Sequence, residues 1–344
     1  MKNGLRAQML GRVAILGTLI IAALAGCQGD RVQSSLHPAG PAADSVARLW
    51  WILLVILGSY SVAVFGLTLV AIFRRPAAVS KPKHEGRTFI LVGGVILPAV
   101  ILVPLLIYSV STTAALRMRE GGLTIRVVGH RWWWEVEYPD HRIVSANELY
   151  IPVGEPVRLE LTSADVIHSF WVPQLHGKMD LLPGQQTVFW IQADRPGNYR
   201  GQCAEYCGLQ HAHMAFVVEA LPPEQFVQWL DRQQSVQASR ADAALQRGQG
   251  LFFKHGCAVC HAIQGTAAEG RAGPDLTHIA SRQTLAAATI ANTPDNLLTW
   301  LADPQSIKPG ANMPPTHASR EELDSIVAYL MSLNGKGGGR EPGE

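Results

Sequence analysis

The sequence predicts a multidomain chain: a two-helix transmembrane hairpin, then a β barrel or sandwich, then a C-terminal redox module. Three observations carry this. Segments 50–73 and 89–110 are uncharged runs of 24 and 22 residues, and a bilayer core takes about 20 helical residues to cross. Beyond Gly121-Gly122 the pattern changes to short alternating runs bounded by Gly and Pro, which is the signature of many short strands. Nearer the C-terminus stands Cys257-Ala-Val-Cys260-His261, the covalent c-type haem attachment signal. Composition agrees: charged residues make up 16% of the 344, against about 25% in an ordinary soluble domain. The apolar share is an average 48%, so the missing charge is concentrated in particular segments. Bulk disorder is excluded, because disordered chains are apolar-poor and highly charged. A net charge of +2 offers no footprint for nucleic acid. The five cysteines fall as Cys27 alone, then Cys203 with Cys207, then Cys257 with Cys260.

Residues 1–12 carry Lys2, Arg6 and Arg12 without an acid, and the apolar run 13–25 that follows is 13 residues long. That is too short to span and reads as the hydrophobic stretch of a signal peptide, residues 1–26. It ends Leu24-Ala25-Gly26-Cys27, which resembles the lipobox of bacterial lipoproteins. The resemblance implies cleavage before Cys27 and acylation of its sulfur; the alternative is a small-residue cleavage site with an incidental cysteine. The hairpin occupies 45–111. Its connection, 74–88, holds Arg74, Arg75, Lys81, Lys83 and Arg87 against Glu85 alone. The positive-inside rule places this loop in the cytoplasm, so everything after about residue 111 is extracytoplasmic. Pro98 and Pro104 lie in the second span, where neighbouring helices tolerate them.

Residues 122–221 form the β module. Leu123-Thr-Ile-Arg-Val-Val128, Val157-Arg-Leu-Glu-Leu161 and Thr187-Val-Phe-Trp-Ile-Gln192 each alternate with period two. Near its end stands Cys203-Ala-Glu-Tyr-Cys207-Gly-Leu-Gln-His211-Ala-His-Met214. Thiolate, imidazole and a weak thioether are the ligands of copper electron-transfer sites. Two thiolates can bridge two coppers, and a dinuclear centre then needs a second imidazole. His168, in Asp165-Val-Ile-His168-Ser and expected at the end of a strand, supplies one. Zinc competes for Cys and His but rarely recruits Met. A Cys203–Cys207 disulfide suits the compartment but leaves the His and Met without a role. Trp132, Trp133 and Trp134 are consecutive, so alternation puts Trp133 on the face opposite its neighbours and at least one ring is hard to bury.

These segments resemble subunit II of haem–copper cytochrome c oxidases. The resemblance rests on the hairpin, Gly129-His-Arg-Trp-Trp-Trp134, Asp165-Val-Ile-His-Ser, Lys178-Met-Asp180-Leu-Leu-Pro-Gly184 and Gly201-Gln-Cys-Ala-Glu-Tyr-Cys-Gly208, and covers roughly 45–230. It implies a cupredoxin-like barrel carrying a dinuclear CuA centre. The implied ligands are His168, Cys203, Cys207, His211 and Met214, with the backbone carbonyl of Glu205. It also implies that the Glu205 carboxylate contacts Mg²⁺ at the subunit I interface, and that Trp132 is an electron-input residue exposed above the copper. His213 falls in a variable slot and is left out. Many family members carry a Glu near the cytoplasmic start of the second helix as the mouth of a proton path; Leu91 stands there, so no proton-path residue is assigned.

A linker helix is expected over 222–241, a second redox module over 242–334 and a Gly-rich disordered tail over 335–344. Two thioethers at Cys257 and Cys260 fix covalent haem c while His261 becomes the proximal ligand. Met313, in Lys308-Pro-Gly-Ala-Asn-Met313-Pro-Pro, is the expected sixth ligand, because Met331 lies in a helix whose apolar positions are needed for packing. His278 and His317 are its rivals. Gly273-Pro274-Asp275-Leu276 and the last helix with Tyr329 make this module similar to the all-α class I cytochromes c, whose first and last helices cross.

The two resemblances together imply the electron-input subunit of a proton-pumping oxidase in a bacterial inner membrane, with oxygen reduced on another chain. Implied partners are oxidase subunits I and III, a soluble or membrane cytochrome c or a bc complex as donor, and membrane lipid. A stand-alone membrane-anchored electron carrier is the alternative, separated from it by whether the chain co-purifies with an oxidase. A quinol-oxidising subunit II would keep the barrel and lose the copper ligands, all of which are present here.

Overall fold

The computed structural model describes residues 32–73, 85–116, 122–235 and 242–334. The expected signal peptide, Cys27, most of the basic loop (Arg74, Arg75, Lys81 and Lys83) and the tail 335–344 lie outside the described residues. Helix α1, Pro41–Phe73, is followed by α2, Glu85–Leu91, which continues through a π-helical turn, Val92–Ile96, into α3, Leu97–Ala115. Segments 41–73 and 86–115 are long and apolar enough to cross a membrane. Pro98 has no N–H to give back to the preceding turn, and the backbone widens into the π turn just before it. The Tyr60 hydroxyl donates to the Gly93 carbonyl at 3.3 Å and ties the two spans together.

Helix α1 begins well before the uncharged run, and the reason is tertiary. Ala42, Ala43 and Ala47 are buried, and the Ala43 N–H donates to the Leu175 carbonyl of the β module at 3.2 Å. The first turns of α1 therefore pack on protein rather than belonging to the span.

The β module is a sandwich of two five-stranded sheets. Its strands are β1 Leu123–His130, β2 Trp133–Tyr138, β3 Ile143–Ala146, β4 Glu148–Pro152, β5 Val157–Ser163, β6 His168–Trp171, β7 Lys178–Leu181, β8 Thr187–Ile191, β9 Gly197–Cys203 and β10 Ala215–Leu221. One sheet runs β3-β2-β1-β5-β8 and the other β4-β10-β9-β6-β7. Two pairings, β1 with β5 and β4 with β10, are parallel, so the chain crosses between sheets rather than meandering. Period two decides which side chains face inward: Val157, Leu159 and Leu161 of β5 are buried, as are Ile125 and Val127 of β1. Between the sheets Trp134, Phe170 and Phe216 form an aromatic centre, with Phe170 stacked on Phe216 at 4.5 Å. His168 opens β6 instead of ending a strand, because the Asp165 turn precedes it.

The helix expected as a linker, α4 Pro223–Gln234, is part of this module. Phe226, Trp229 and Leu230 are buried, and Trp229 stacks on Tyr150 at 4.5 Å. Its apolar stripe packs against β4 and β10, which a free linker could not do.

The C-terminal module comprises α5 Ala243–Lys254, a 3₁₀ turn Cys257–Val259, the ribbon β11 Ala262–Ile263 with β12 Ala268–Glu269, a second ribbon β13 Thr284–Leu285 with β14 Ile290–Ala291, then α6 Pro294–Ala302, α7 Pro304–Ile307 and α8 Arg320–Met331. Asp242 caps α5 by accepting from the Ala244 N–H, and Ser319 with Glu322 forms a capping box on α8. Helices α5 and α8 cross at Gly248, where a Cβ would run into the Ser325 carbonyl and the Tyr329 side chain. Phe252, Leu297, Leu323, Ile326 and Leu330 fill the core around this crossing.

Candidate metal and haem sites

Strand β9 delivers Cys203 at its last position, and the turn that follows presents Cys207. A 3₁₀ turn, His211–His213, then leads through Met214 into β10. The antiparallel pairing of β9 with β10 returns Met214 beside Cys203, whose N–H donates to the Met214 carbonyl at 2.9 Å. From the neighbouring strand β6, His168 enters the same pocket. The two sulfurs lie 3.8 Å apart, His168 Nδ1 lies 3.8 Å from Cys203 Sγ, His211 Nδ1 lies 3.6 Å from Cys207 Sγ and Met214 Sδ lies 3.8 Å from Cys207 Sγ. The Glu205 carbonyl lies 3.2 Å from Cys203 Sγ. The structure thus brings together all six groups expected from the sequence. His213 turns aside, its Nδ1 bonded to Gln210 Oε1 at 2.8 Å.

The electrostatics suit soft-metal ligation. Cys203 is held down at about 4 by its hydrogen bond with Cys207, against the desolvation of burial, while Cys207 is pushed up in the same exchange. Metal binding would displace whatever protons the two thiols hold. Burial pulls the His168 imidazole down, but Cys203 and Asp165 outweigh it and the net shift is upward. His168 Nε2 donates to Asp165 Oδ1 at 2.8 Å, which fixes the ring and turns Nδ1 toward the sulfurs. Asp165 was not singled out from the sequence, although a carboxylate three residues before a candidate ligand His is the signal that finds it. Gly129 was also missed: a Cβ there would stand 2.7 Å from His168 Cδ2, so only glycine leaves room for the ring. The Glu205 carboxylate is 3.8 Å from Lys178 Nζ. Among the described residues, His168, Cys203 and Cys207 form the only close cluster of three or more His, Cys, Asp or Glu, so a hard cation at Glu205 would take its remaining ligands from water or from another chain.

In the C-terminal module Cys257 opens the 3₁₀ turn Cys257–Val259, Cys260 caps it, and the His261 N–H donates to the Cys257 carbonyl at 3.0 Å. His261 Nδ1 donates to the Pro274 carbonyl at 2.7 Å, leaving Nε2 free to ligate. Burial lowers the pKa of this imidazole, which favours the neutral, ligating form. A Cβ on Gly273 would press on the His261 ring at 2.6 Å, so the glycine keeps that face open. These features fit a covalently attached haem with His261 as proximal ligand. Met313 packs against the core of this module from the loop after α7. His278 is committed elsewhere: it is buried and its Nε2 donates to the Gln233 carbonyl at 2.9 Å. His317 is exposed.

Trp132 is not exposed. It retains 9% of its surface, donates its indole N–H to the Cys207 carbonyl at 3.0 Å, and lies beneath residues 308–312 of the C-terminal module. Trp134 is fully buried, and Trp133 is the partly exposed ring, stacked on His130 at 4.3 Å. Lys308, which covers Trp132, is itself buried, and burial pulls its amine down to about 7.

A family profile described as cytochrome c oxidase subunit II, periplasmic domain, matches residues 143–221, and a cytochrome c profile matches 245–334. Cytochrome c oxidase subunit 2 of Alkalihalophilus pseudofirmus is 32% identical over 322 residues, which span 90% of this chain and 93% of the relative. The Bacillus subtilis protein of the same name is 31% identical over 349 residues, spanning 94% and 97%. Among solved structures, the periplasmic domain of subunit II of cytochrome oxidase of Bradyrhizobium japonicum is 30% identical. That match covers 34% of this chain and 96% of the other, with a TM-score of 0.33.

Proposed function

The chain belongs to the cytochrome c oxidase subunit II family, and from that premise we propose that it receives electrons from a cytochrome c donor in its C-terminal module and passes them through its β module to the catalytic subunit. Membership implies copper in the β module, haem in the C-terminal module, other oxidase subunits and a cytochrome c donor. The observation that carries the reading is the soft-donor set gathered from β6, β9 and the 203–214 loop.

Loaded at these two places, copper and haem supply one-electron redox chemistry that no side chain here can perform. The residues do the holding and orienting. Cys203 and Cys207 would provide both thiolates of a dinuclear centre, His168 and His211 its imidazoles, and Met214 with the Glu205 carbonyl its weak ligands. Asp165 orients His168, and its own carboxyl is held down because His168 and the Val166 and Arg131 amides outweigh its desolvation. Cys257 and Cys260 would anchor the haem, His261 and Met313 would hold its iron, and Trp132 would be the input residue of the copper module. In the same reading both modules face the extracytoplasmic side of a bacterial plasma membrane. Cys27 is acylated, the Glu205 carboxylate meets Mg²⁺ at subunit I, subunit III completes the assembly, a soluble or membrane cytochrome c or a bc complex is the donor, and oxygen reduction on subunit I drives proton translocation.

Metal analysis of the full chain, purified in detergent without the catalytic subunit, should return two copper atoms and one iron per chain. In the same preparation Met214→Leu should move the copper spectrum and potential while leaving the haem spectrum as it was. One copper, zinc in its place, or a copper signal indifferent to Met214 would each overturn the ligand assignment. Membranes carrying the chain should consume oxygen with reduced cytochrome c; a chain that runs alone, from membranes without that activity, would overturn the oxidase role.

A further inference from the structure

Residues far apart in sequence cover Trp132, and they do so with specific hydrogen bonds. The side-chain amine of Lys308 donates to the Trp132 carbonyl at 2.7 Å and to the Ala286 carbonyl of its own module at 3.3 Å. Asn312 Nδ2 donates to the Arg131 carbonyl at 3.1 Å, and Gln210 of the copper loop donates to the Pro309 carbonyl. The segment making these bonds, 308–312, runs directly into Met313, while Trp132 bonds directly to Cys207.

A second strip of contacts lies beside it. Ala286, Ala287 and Ala288 all have left-handed backbones, with φ of 53°, 59° and 55°. Single L-residues other than Gly, Asn and Asp rarely adopt this conformation, and runs of them are rarer still. Here it turns three successive carbonyls toward donors: Ala286 to Lys308, Ala287 to the Ala215 N–H at 3.3 Å, and Ala288 to Arg200 Nη1 at 3.1 Å. Alongside, buried Glu148 Oε1 accepts from the Gln283 N–H, the Thr284 N–H and the Thr284 hydroxyl at 2.8, 2.9 and 3.1 Å.

Lys308 sits at the centre of this seam. It is 4% exposed, and among the ion pairs of the described residues none involves it. Burying an amine is costly, and a Leu or Met would fill the space more cheaply. What an apolar side chain cannot do is satisfy two carbonyls at once, one from each module.

We infer that Lys308 is a positioning residue: it seats the C-terminal module on the Trp132 carbonyl, so that this module, and no separate electron donor, delivers electrons to the copper module. The inference rests on the proposed function, and it adds which residue sets the geometry and what that geometry shuts out.

The test uses the full chain with Lys308→Met, Lys308→Arg and Asn312→Ala. Its first readout, amide hydrogen exchange, needs neither metal nor activity. The amides of Ala215, Gln283 and Thr284 bond across the seam, and Lys308→Met should speed their exchange at least about tenfold. Amides inside β5 and α8 should not change. Lys308→Arg, which keeps the donors, should restore most of the protection. Should Lys308→Met fail to accumulate, Asn312→Ala at the exposed rim is read in the same way with a smaller increase. The second readout uses the loaded oxidase mixed with reduced soluble cytochrome c. In the parent protein copper reduction should lag haem reduction; in Lys308→Met the lag should disappear. Unchanged exchange at the seam in both variants overturns the positioning role, and faster exchange with the lag intact overturns the exclusion of separate donors. Failure of the proposed function shows differently, as missing copper or haem in the parent chain, and leaves the exchange result standing.

Discussion

At position 168 an imidazole is held from three sides. Asp165 accepts from Nε2, Cys203 faces Nδ1, and Gly129 on β1 leaves the space that the ring fills. Adding one methyl group tests this arrangement. In Gly129→Ala the new Cβ would stand well inside contact distance of His168 Cδ2, and both β1 and β6 are pinned in the sandwich, so the imidazole has to give way. Copper affinity should fall by about 10–100-fold, the usual range when the support of a metal ligand is disturbed. Competition with a chelator would measure it, and an unchanged affinity would show that the ring has room to spare. The donor set itself was legible, because Cys, His and Met types at short spacing are rare and chemically specific. Gly129 was not: it opens Gly129-His-Arg-Trp-Trp-Trp134, but nothing local says which ring comes to lie against it. The burial of Trp132 was equally out of reach, since its cover is Lys308, 176 positions away.

Among the elements, strands β1, β5 and β8 could be read from alternation because one buried face is a local property of a strand. Two of the places that differed, the early start of α1 and the packing of α4, are helices whose burial depends on another element. The left-handed Ala286–Ala288 turn was also invisible, because three alanines read as helix formers and only the contacts across the seam hold them otherwise. Helix α5 offers a controlled comparison, since it contains two glycines in different surroundings. Around Gly250 nothing lies within 4 Å of a new Cβ, whereas at Gly248 the Ser325 backbone stands in the way. Replacing an interior helical Gly by Ala gains about 1 kcal/mol in propensity, and overpacking against rigid backbone costs about 1–3 kcal/mol. Gly250→Ala should therefore stabilise the C-terminal module by about 0.5–1 kcal/mol, while Gly248→Ala should destabilise it by about 1–2 kcal/mol. Thermal unfolding of the two variants, followed in the same chain, gives opposite signs if α5 and α8 cross where the structure places them. Two stabilising substitutions would mean that they do not.

For the whole molecule, the sequence orders three modules along the chain, whereas their mutual seating follows from contacts that no segment carries alone. The character of that seating has a kinetic consequence. The module-to-module bonds run to backbone carbonyls, to buried Glu148 and, through the Gln283 side chain, to Glu219 and Asn198, whereas the ion pairs Lys178–Glu205, Arg247–Glu321, Lys254–Glu322 and His255–Glu322 each stay within one module. Screening acts on exposed charges: the Debye length shrinks from about 30 Å at 0.01 M to about 8 Å at 0.15 M, while buried contacts are screened far less. The tether keeps one module at high effective concentration beside the other, so no charge-steered encounter is needed between them. Electron transfer from the C-terminal module to the β module should then vary by less than about twofold between 0.01 and 0.3 M salt. Arrival of a separate cytochrome c is a bimolecular step, and where opposite charge guides it the rate falls steeply with ionic strength. Flash-induced reduction of the loaded oxidase separates the two phases, the first independent of donor concentration and the second proportional to it. If the concentration-independent phase proved as salt-sensitive as the bimolecular one, the modules would be meeting through exposed charges in solution, and the buried seam would not be the state in which electrons cross.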